Sequence, residues 1–574
     1  MSYFNAYNTN AMFIRIKPSG PRKYLQIVKS IWDKGHVRQK VIGTLGRLDR
    51  LEETGELDSL LRSGIRFSEK LAIIDSYEKG IVPSTEDAKV GIPMIFGRLW
   101  EETGIQSVIE ELLGDRKYQF PVERAIFLTV LHRLNVSGSD RAAEKWKENY
   151  KIAGTEKIDL HHLYRAMAWL GEELPGEEQK GATPFAPRCI KDLVEEGIFQ
   201  RERDLFRDLT LVFFDTTSIY FEGNGGEEIG AYGHSKDHRP DLKQMVVGVI
   251  IDNEGRPICC ELWPGNTTDV KTLLPVMERL RGRFGIQKVC IVADRGMISK
   301  ETIKEIEGMK GVKYILGVRL RRQKEVKEEV LGRGGRYEEV YAKGTHSKAP
   351  SPLKVKEVMV DNRRYIICLN EDQAKKDALD REAIIAALKD KIKQSEKALV
   401  GNKGYRKYLK LTGTRFQIDE EKIKEESRYD GKWVLTTNTD ISSREVALQY
   451  KQLWMVEQIF RTMKTILTTR PIYHKCDETI RGHVFCSFLS LLLIKELQRR
   501  MDQRGWQVEW ADLMNNLEEV KEIRIQTGGK EVLLRSELKG DAGKAFQAAG
   551  IAVPPTVRIM STDDNNTASL RSCS

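Results

Sequence analysis

A chain of 574 residues with a formal net charge of +10, 40% hydrophobic and 31% charged residues is too long for one ordinary core. At roughly 100 to 200 residues per domain it predicts three or four domains. The composition excludes wholesale disorder, and the basic excess favours polyanionic partners, whose counterions are released when basic side chains meet phosphates. The eight cysteines form no Cys-x2-Cys pair, and Cys259 and Cys260 fall in an apolar strand pattern. Neither a disulfide framework nor a cysteine-held zinc is expected, and a reducing, cytoplasmic setting is. The N-terminal segment lacks the basic start and apolar stretch of a secretion signal. The longest apolar run, Val484–Ile494, has eleven residues, against roughly 20 needed to cross a bilayer. It reads as a core helix, and no membrane partner is expected.

Residues 12–47 alternate and reverse at glycines, predicting a small antiparallel sheet in an N-terminal β module over 1–50. From 51 to 205 the periodicity turns helical, with PVERAIFLTVLHRL, SDRAAEKWKENY capped by Ser139, and LHHLYRAMAWLGEEL forming a helical domain for DNA binding or dimerisation. LTLVFFDTTSIYF reads as a strand buried on both faces, followed by a hairpin turning at Asn253-Glu254-Gly255. An amphipathic helix, the strand KVCIVAD, a helix opened by Ser299 and the strand VKYILGV come next. The order β, β, β, α, β, α, β around acidic residues is that of a ribonuclease H-like fold.

Residues 319–429 interrupt this order with strand-like pieces, a lysine-studded helix over Arg381–Lys397 and the basic loop NKGYRKYLK. They are expected to form an insertion domain. The stretch Lys389–Lys410 offers basic and aromatic side chains to a DNA backbone or to solvent. The core resumes at GKWVLTTNTD and continues into one long helix over Ser442–Leu467. The expected architecture is a multidomain α/β protein: a ribonuclease H-like catalytic core (206–318 and 430–500) carrying a β-rich insertion, preceded by the β module and the helical domain. A helical region and disordered tail over 501–574 complete it.

Asp215 and Asp294 each close an apolar strand. A carboxylate in that position is costly unless it is paired or holds a cation, although a strand-end Asp can simply cap a turn. Tyr450, Glu457 and Lys464 are spaced by seven residues, two helical turns, so they share a face beside the apolar stripe Leu453, Val456, Phe460 and Met463. An ordinary amphipathic helix is the plainer account of that spacing.

The sequence YKQLWMVEQIFRTMK resembles the Tyr-x2-Arg-x3-Glu-x6-Lys signature helix of a large branch of bacterial insertion-sequence transposases with DDE catalysis. Tyr450, Glu457 and Lys464 match it, and Leu453 stands at the Arg position. FFDTTSIYFEG, GHSKDHRPDLKQMVVGVIID, WPGNTTD, VADRGMIS, DGKWVLTTN and RPIYHKCDETIRGH are similar to further family segments. The resemblance is strongest over Leu209–Leu493. It implies a catalytic triad of Asp215, Asp294 and Glu457 holding two Mg2+ or Mn2+ ions, an oxygen-donor set suited to hard cations. It also implies metal-dependent cleavage at the element's ends, strand transfer into target double-stranded DNA, and a homodimer when two ends are joined. Tyr450, Lys464, Trp454, Trp263, Asn266, Arg295, Lys236 and Arg461 are the candidate DNA contacts, with Lys451 or Arg461 replacing the Arg that Leu453 displaces. For Trp263 and Trp454, base stacking competes with plain core packing. A phosphatase with an aspartate nucleophile needs a second acid where Thr217 stands. A catalytically silent DNA-binding protein and a nuclease without strand transfer remain alternatives.

Overall fold

The computed structural model describes residues 12–33, 36–65, 85–179, 182, 186–202, 211–286, 288–341, 353–394, 407–412, 415–527 and 530–560. The chain divides into two compact units, one of residues 1–88, 520–537 and 554–574, the other of 89–519 and 538–553.

In the first unit, β1 (Met12–Ser19), β2 (Arg22–Asp33) and β3 (His36–Arg47) form the antiparallel sheet expected at the N-terminus. Helices α1 (Leu48–Glu53) and α2 (Glu56–Ile65) follow. Strand β4 (Thr85–Lys89) then joins a second sheet with three strands from the other end of the sequence, Lys521–Thr527, Lys530–Arg535 and Val557–Met560. This corrects two expectations. The helical domain begins near residue 89 rather than 51, and the C-terminal region carries a strand hairpin. EIRIQT alternates with period two and EVLLR holds a three-residue apolar run, patterns too short to register beside the preceding helix. The tail beyond 560 lies outside the described residues.

The second unit opens with α3 (Gly91–Glu102), α4 (Ile105–Leu113), α5 (Val122–Asn135), α6 (Asp140–Trp146), α7 (Leu160–Leu170) and α8 (Ile190–Glu202). Ser139 caps α6, its hydroxyl accepting from Ala142 N–H at 3.2 Å.

The central sheet is built from β5 (Leu211–Tyr220), β6 (Gln244–Ile251), β7 (Pro257–Pro264), helix α9 (Leu273–Phe284), β8 (Val289–Ala293), helix α10 (Lys300–Gly308) and β9 (Val312–Gly317). Ser299 opens α10, accepting from Thr302 N–H at 3.1 Å. The spatial order is β7-β6-β5-β8-β9, with β5, β8 and β9 parallel and the first three strands antiparallel.

The stretch expected to be a separate insertion instead extends this sheet. Strands β10 (Glu338–Val340), β11 (Leu353–Val360) and β12 (Arg363–Leu369) continue it, joined to β9 through β15 (Lys432–Thr437). Between β12 and β15, helix α11 (Glu371–Gln394), the hairpin β13 (Leu409–Thr412) and β14 (Arg415–Ile418), and α12 (Glu420–Ser427) gather a small cluster around Leu388 and Tyr408. Helix α11 starts ten residues before the predicted Arg381. The first part of NKGYRKYLK, 402–406, lies outside the described residues.

One face of the sheet buries Val212, Phe214, Ile250, Ile291 and Leu316 against Val276, Met277 and Leu280 of α9 and Ile303 and Ile306 of α10. The signature segment packs on β5 and β6. It is two helices, α13 (Ser443–Lys451) and α14 (Trp454–Thr465), where one was expected. At the joint the hydrogen bonds tighten, Leu453 N–H donating to Tyr450 O and Val456 N–H to Leu453 O, so Tyr450 and Glu457 lie on different helices. Helix α15 (Asp477–Asp502) runs through the core, and all eleven residues of Val484–Ile494 are buried. Among the described residues no helix is long and apolar enough to cross a membrane.

Candidate active site

Strands β5 and β8 are parallel, and their last paired residues are Phe214 and Ala293. Asp215 and Asp294 are the next residue on each. Two parallel strands in this register bring adjacent carboxylates to one carboxyl-terminal edge, where open α/β sheets form their crevices. Glu457 joins from the first turn of α14, which packs on β5. All three acids line one cleft of about 520 Å3, together with Arg295, Gly317, Arg321, Lys432, Trp433, Tyr450, Lys451, Leu453 and Trp454 among others.

Each carboxylate has a distinct setting. Burial pushes the Asp215 carboxyl up to about 6, and nearby Asp294 and Asp269 act in the same sense. Lys236 and the N–H of Thr216, which donates to Oδ1 at 2.7 Å, oppose that rise. Asp294 is exposed on one side and accepts from the Tyr450 hydroxyl at 3.0 Å on the other. Burial and the Asp294 charge raise the Tyr450 phenol, which stays a donor. A side chain at position 317 would collide with that hydroxyl, so Gly317 on β9 leaves room for it. Glu457 is exposed to the cleft.

An oxygen-only donor set in which one desolvated carboxyl has two acidic neighbours is one that a hard divalent cation would relieve. The residues present therefore fit Mg2+ or Mn2+. A histidine-bearing group of ligand type occurs elsewhere, where Asp140, His474 and His483 converge, a juxtaposition invisible in the spacing. The Arg133 guanidinium stands 2.8 Å from His483 Nδ1 and 3.8 Å from Asp140, so it already supplies positive charge there.

The predicted DNA contacts separate. Trp454 is 57% exposed at the cleft, whereas Trp263 is 3% exposed and packs edge-on against Phe214. Trp263 is a core residue of β7, which corrects the stacking expectation. Tyr450 is engaged with Asp294. Lys464 points away from the cleft into an ion pair with Asp237 at 2.9 Å, which Arg470 joins at 3.5 Å. Burial lowers the Lys464 ammonium, and Asp237 opposes that effect. The expectation that Lys464 is free to meet a phosphate is not what this geometry shows. Arg295 lines the cleft, Arg461 and Asn266 are exposed outside its lining, and Lys451 is the cleft cation nearest in sequence to Leu453. Lys236 donates to the carbonyl and hydroxyl of Thr216 at 2.7 and 2.9 Å.

Sequence reading missed Asp269, which follows β7 and accepts from the Thr216 hydroxyl at 2.7 Å. It also missed Trp433, Arg321 and Lys432 on the cleft wall. For Asp269 a signal existed in WPGNTTD, an acid just past a buried strand.

A mixed α/β unit gathers three acids at the edge of its central sheet, amid arginine and lysine, a setting suited to a phosphate polyanion. The family model described as Transposase DDE domain matches residues 207–493, half of the chain, and that described as IS1634 family transposase, N-terminal domain, matches 14–76. The chain belongs to the DDE transposases of bacterial insertion sequences. No curated protein gives a significant match.

Proposed function

We propose that the protein cuts DNA at the ends of its own insertion sequence and joins those ends to target DNA, with Asp215, Asp294 and Glu457 as the catalytic acids. The observation that carries this reading is the register of β5 and β8, which sets Asp215 beside Asp294 in the cleft that Glu457 of α14 also lines. The strand order β7-β6-β5-β8-β9, three antiparallel strands followed by two parallel ones, supports a ribonuclease H-like core. Two Mg2+ or Mn2+ ions, held by the three carboxylates, would supply Lewis-acid activation of the attacking oxygen and charge neutralisation at the leaving one.

The residues themselves bind and orient. Tyr450 fixes the rotamer of Asp294, and the Thr216 N–H fixes that of Asp215. Arg295, Arg321, Lys432 and Lys451 give the cleft wall positive charge for a DNA backbone. Trp454 presents an exposed ring on which an unpaired base can stack. Because two ends must be brought together, the working form is a homodimer on double-stranded DNA, in the cytoplasm.

The test is incubation with DNA carrying the sequences that flank its own gene, in Mg2+ or Mn2+ against EDTA. Metal-dependent cuts at defined ends and joined products support the reading. Cuts without joining reduce it to a nuclease, and end binding without cuts leaves a silent DNA-binding protein.

A further inference from the structure

One cation in the site is already spoken for. The Lys236 ammonium donates to Thr216 O at 2.7 Å and to Thr216 Oγ1 at 2.9 Å, and stands 3.3 Å from Asp269 Oδ2. Two of its protons are thus donated to Thr216, and its charge is paired with Asp269. The main chain is pinned as well, because Lys236 N–H donates to Ser218 Oγ at 2.8 Å. Thr216 and Ser218 are buried residues of β5 itself. The Thr216 hydroxyl accepts from Lys236 and donates to Asp269, so the three side chains form one closed set.

This set sits against the candidate metal-holding carboxylate. The ammonium lies 4.0 Å from Asp215 Oδ1. At that separation two unit charges interact strongly in a half-buried setting. A lysine so held cannot meet a DNA phosphate without giving up one of its partners, which removes it from the simple backbone contacts.

We propose that Lys236 is the resident counter-cation of Asp215, with Asp269 as the carboxylate that holds and partly neutralises it, so that the pair sets how readily Asp215 takes up a divalent cation. Both are positioning residues, and the inference rests on the metal-dependent reading above. Lys236 balances the acids when the site holds no ion, and an ion arriving at Asp215 works against its charge. Asp269 limits that opposition by pairing with the ammonium.

The two residues therefore act in opposite directions, which a merely structural clasp does not. The experiment is titration of the full-length, DNA-free protein with Mn2+, followed by the loss of the free-ion electron paramagnetic resonance signal. Lys236→Met is expected to bind about fivefold or more tightly than wild type and Asp269→Asn to bind more weakly by a similar factor. Lys236→Arg, which keeps the charge, stays within about twofold. Unchanged or weaker binding by Lys236→Met, or a shift of both variants in the same direction, overturns the inference. Asp215→Asn separates the two levels. If wild type shows no Mn2+ site that this variant removes, the metal-dependent reading itself fails and the inference goes with it. If such a site exists and the Lys236 and Asp269 variants do not split, the inference alone fails.

Discussion

The Tyr450 hydroxyl donates to Asp294 Oδ1 at 3.0 Å, joining the end of α13 to the end of β8 across the cleft. This contact gives the signature tyrosine an internal task, since it holds one acid of the proposed triad in place. Tyr450→Phe should fold with a stability loss near 1 kcal/mol, the usual worth of one hydrogen bond. Cleavage should fall by roughly 10- to 100-fold through misplacement of the carboxylate. Parallel urea melts and end-cleavage rates check both numbers; a cleavage rate equal to wild type would show that Asp294 needs no such support.

Lys464 and Asp237 make a second prediction. Their side chains are 12% and 7% exposed, and removing one partner of a buried pair strands the other. Lys464→Met should cost about 2–3 kcal/mol in the DNA-free protein, less than a fully isolated pair because Arg470 still faces Asp237. Equal denaturant midpoints for variant and wild type would return Lys464 to the role of a free phosphate contact.

The Asp215 carboxyl, raised from 3.8 to about 6 by burial, makes a pH prediction. Its folded value lies above its unfolded one, so the native state holds the proton more tightly. Ionisation therefore penalises folding, and stability falls as pH rises from about 4 to about 6. Asp215→Asn removes the penalty. The metal-free variant should match wild type near pH 4 and exceed it by roughly 3 kcal/mol at pH 7, the gap flattening above pH 6. Urea melts across that range in EDTA would refute this if the gap were constant.

The two tryptophans first grouped as stacking candidates should behave oppositely. Trp263→Ala should lose about 3–5 kcal/mol of stability, as large-to-small changes in a core do. Trp454→Ala, on an exposed ring, should melt as wild type and bind unpaired DNA ends about tenfold more weakly or worse. Denaturation curves set beside fluorescence anisotropy with frayed-end DNA distinguish the two.

The parts legible in the sequence were those with a strong local period. LVFFD and VCIVAD announced buried strands closed by acids, and their order, with α9 before β8 and α10 after it, followed from alternation and caps. What the sequence hid depends on distance. That β10–β12 extend the central sheet rests on the pairing of β12 with β15, residues on either side of α11 and the hairpin β13–β14. Local pattern carries no record of such pairing. The break between α13 and α14 was masked because Gln452 and Leu453 are ordinary helix formers, and only the tightened hydrogen bonds reveal it. Asp269 read as the first residue of the amphipathic helix and Lys236 as a loop residue until folding set both beside Thr216.

The most direct test of the central claim, that acids from β5, β8 and α14 hold the ions of one phosphoryl-transfer centre, is a metal switch at Asp294. Asp294→Cys replaces a hard oxygen ligand with a softer sulfur, which Mn2+ tolerates better than Mg2+. The account predicts that this variant fails to cleave its own end DNA in Mg2+ and regains part of the activity in Mn2+. Cleavage in Mg2+ at the wild-type rate would contradict it.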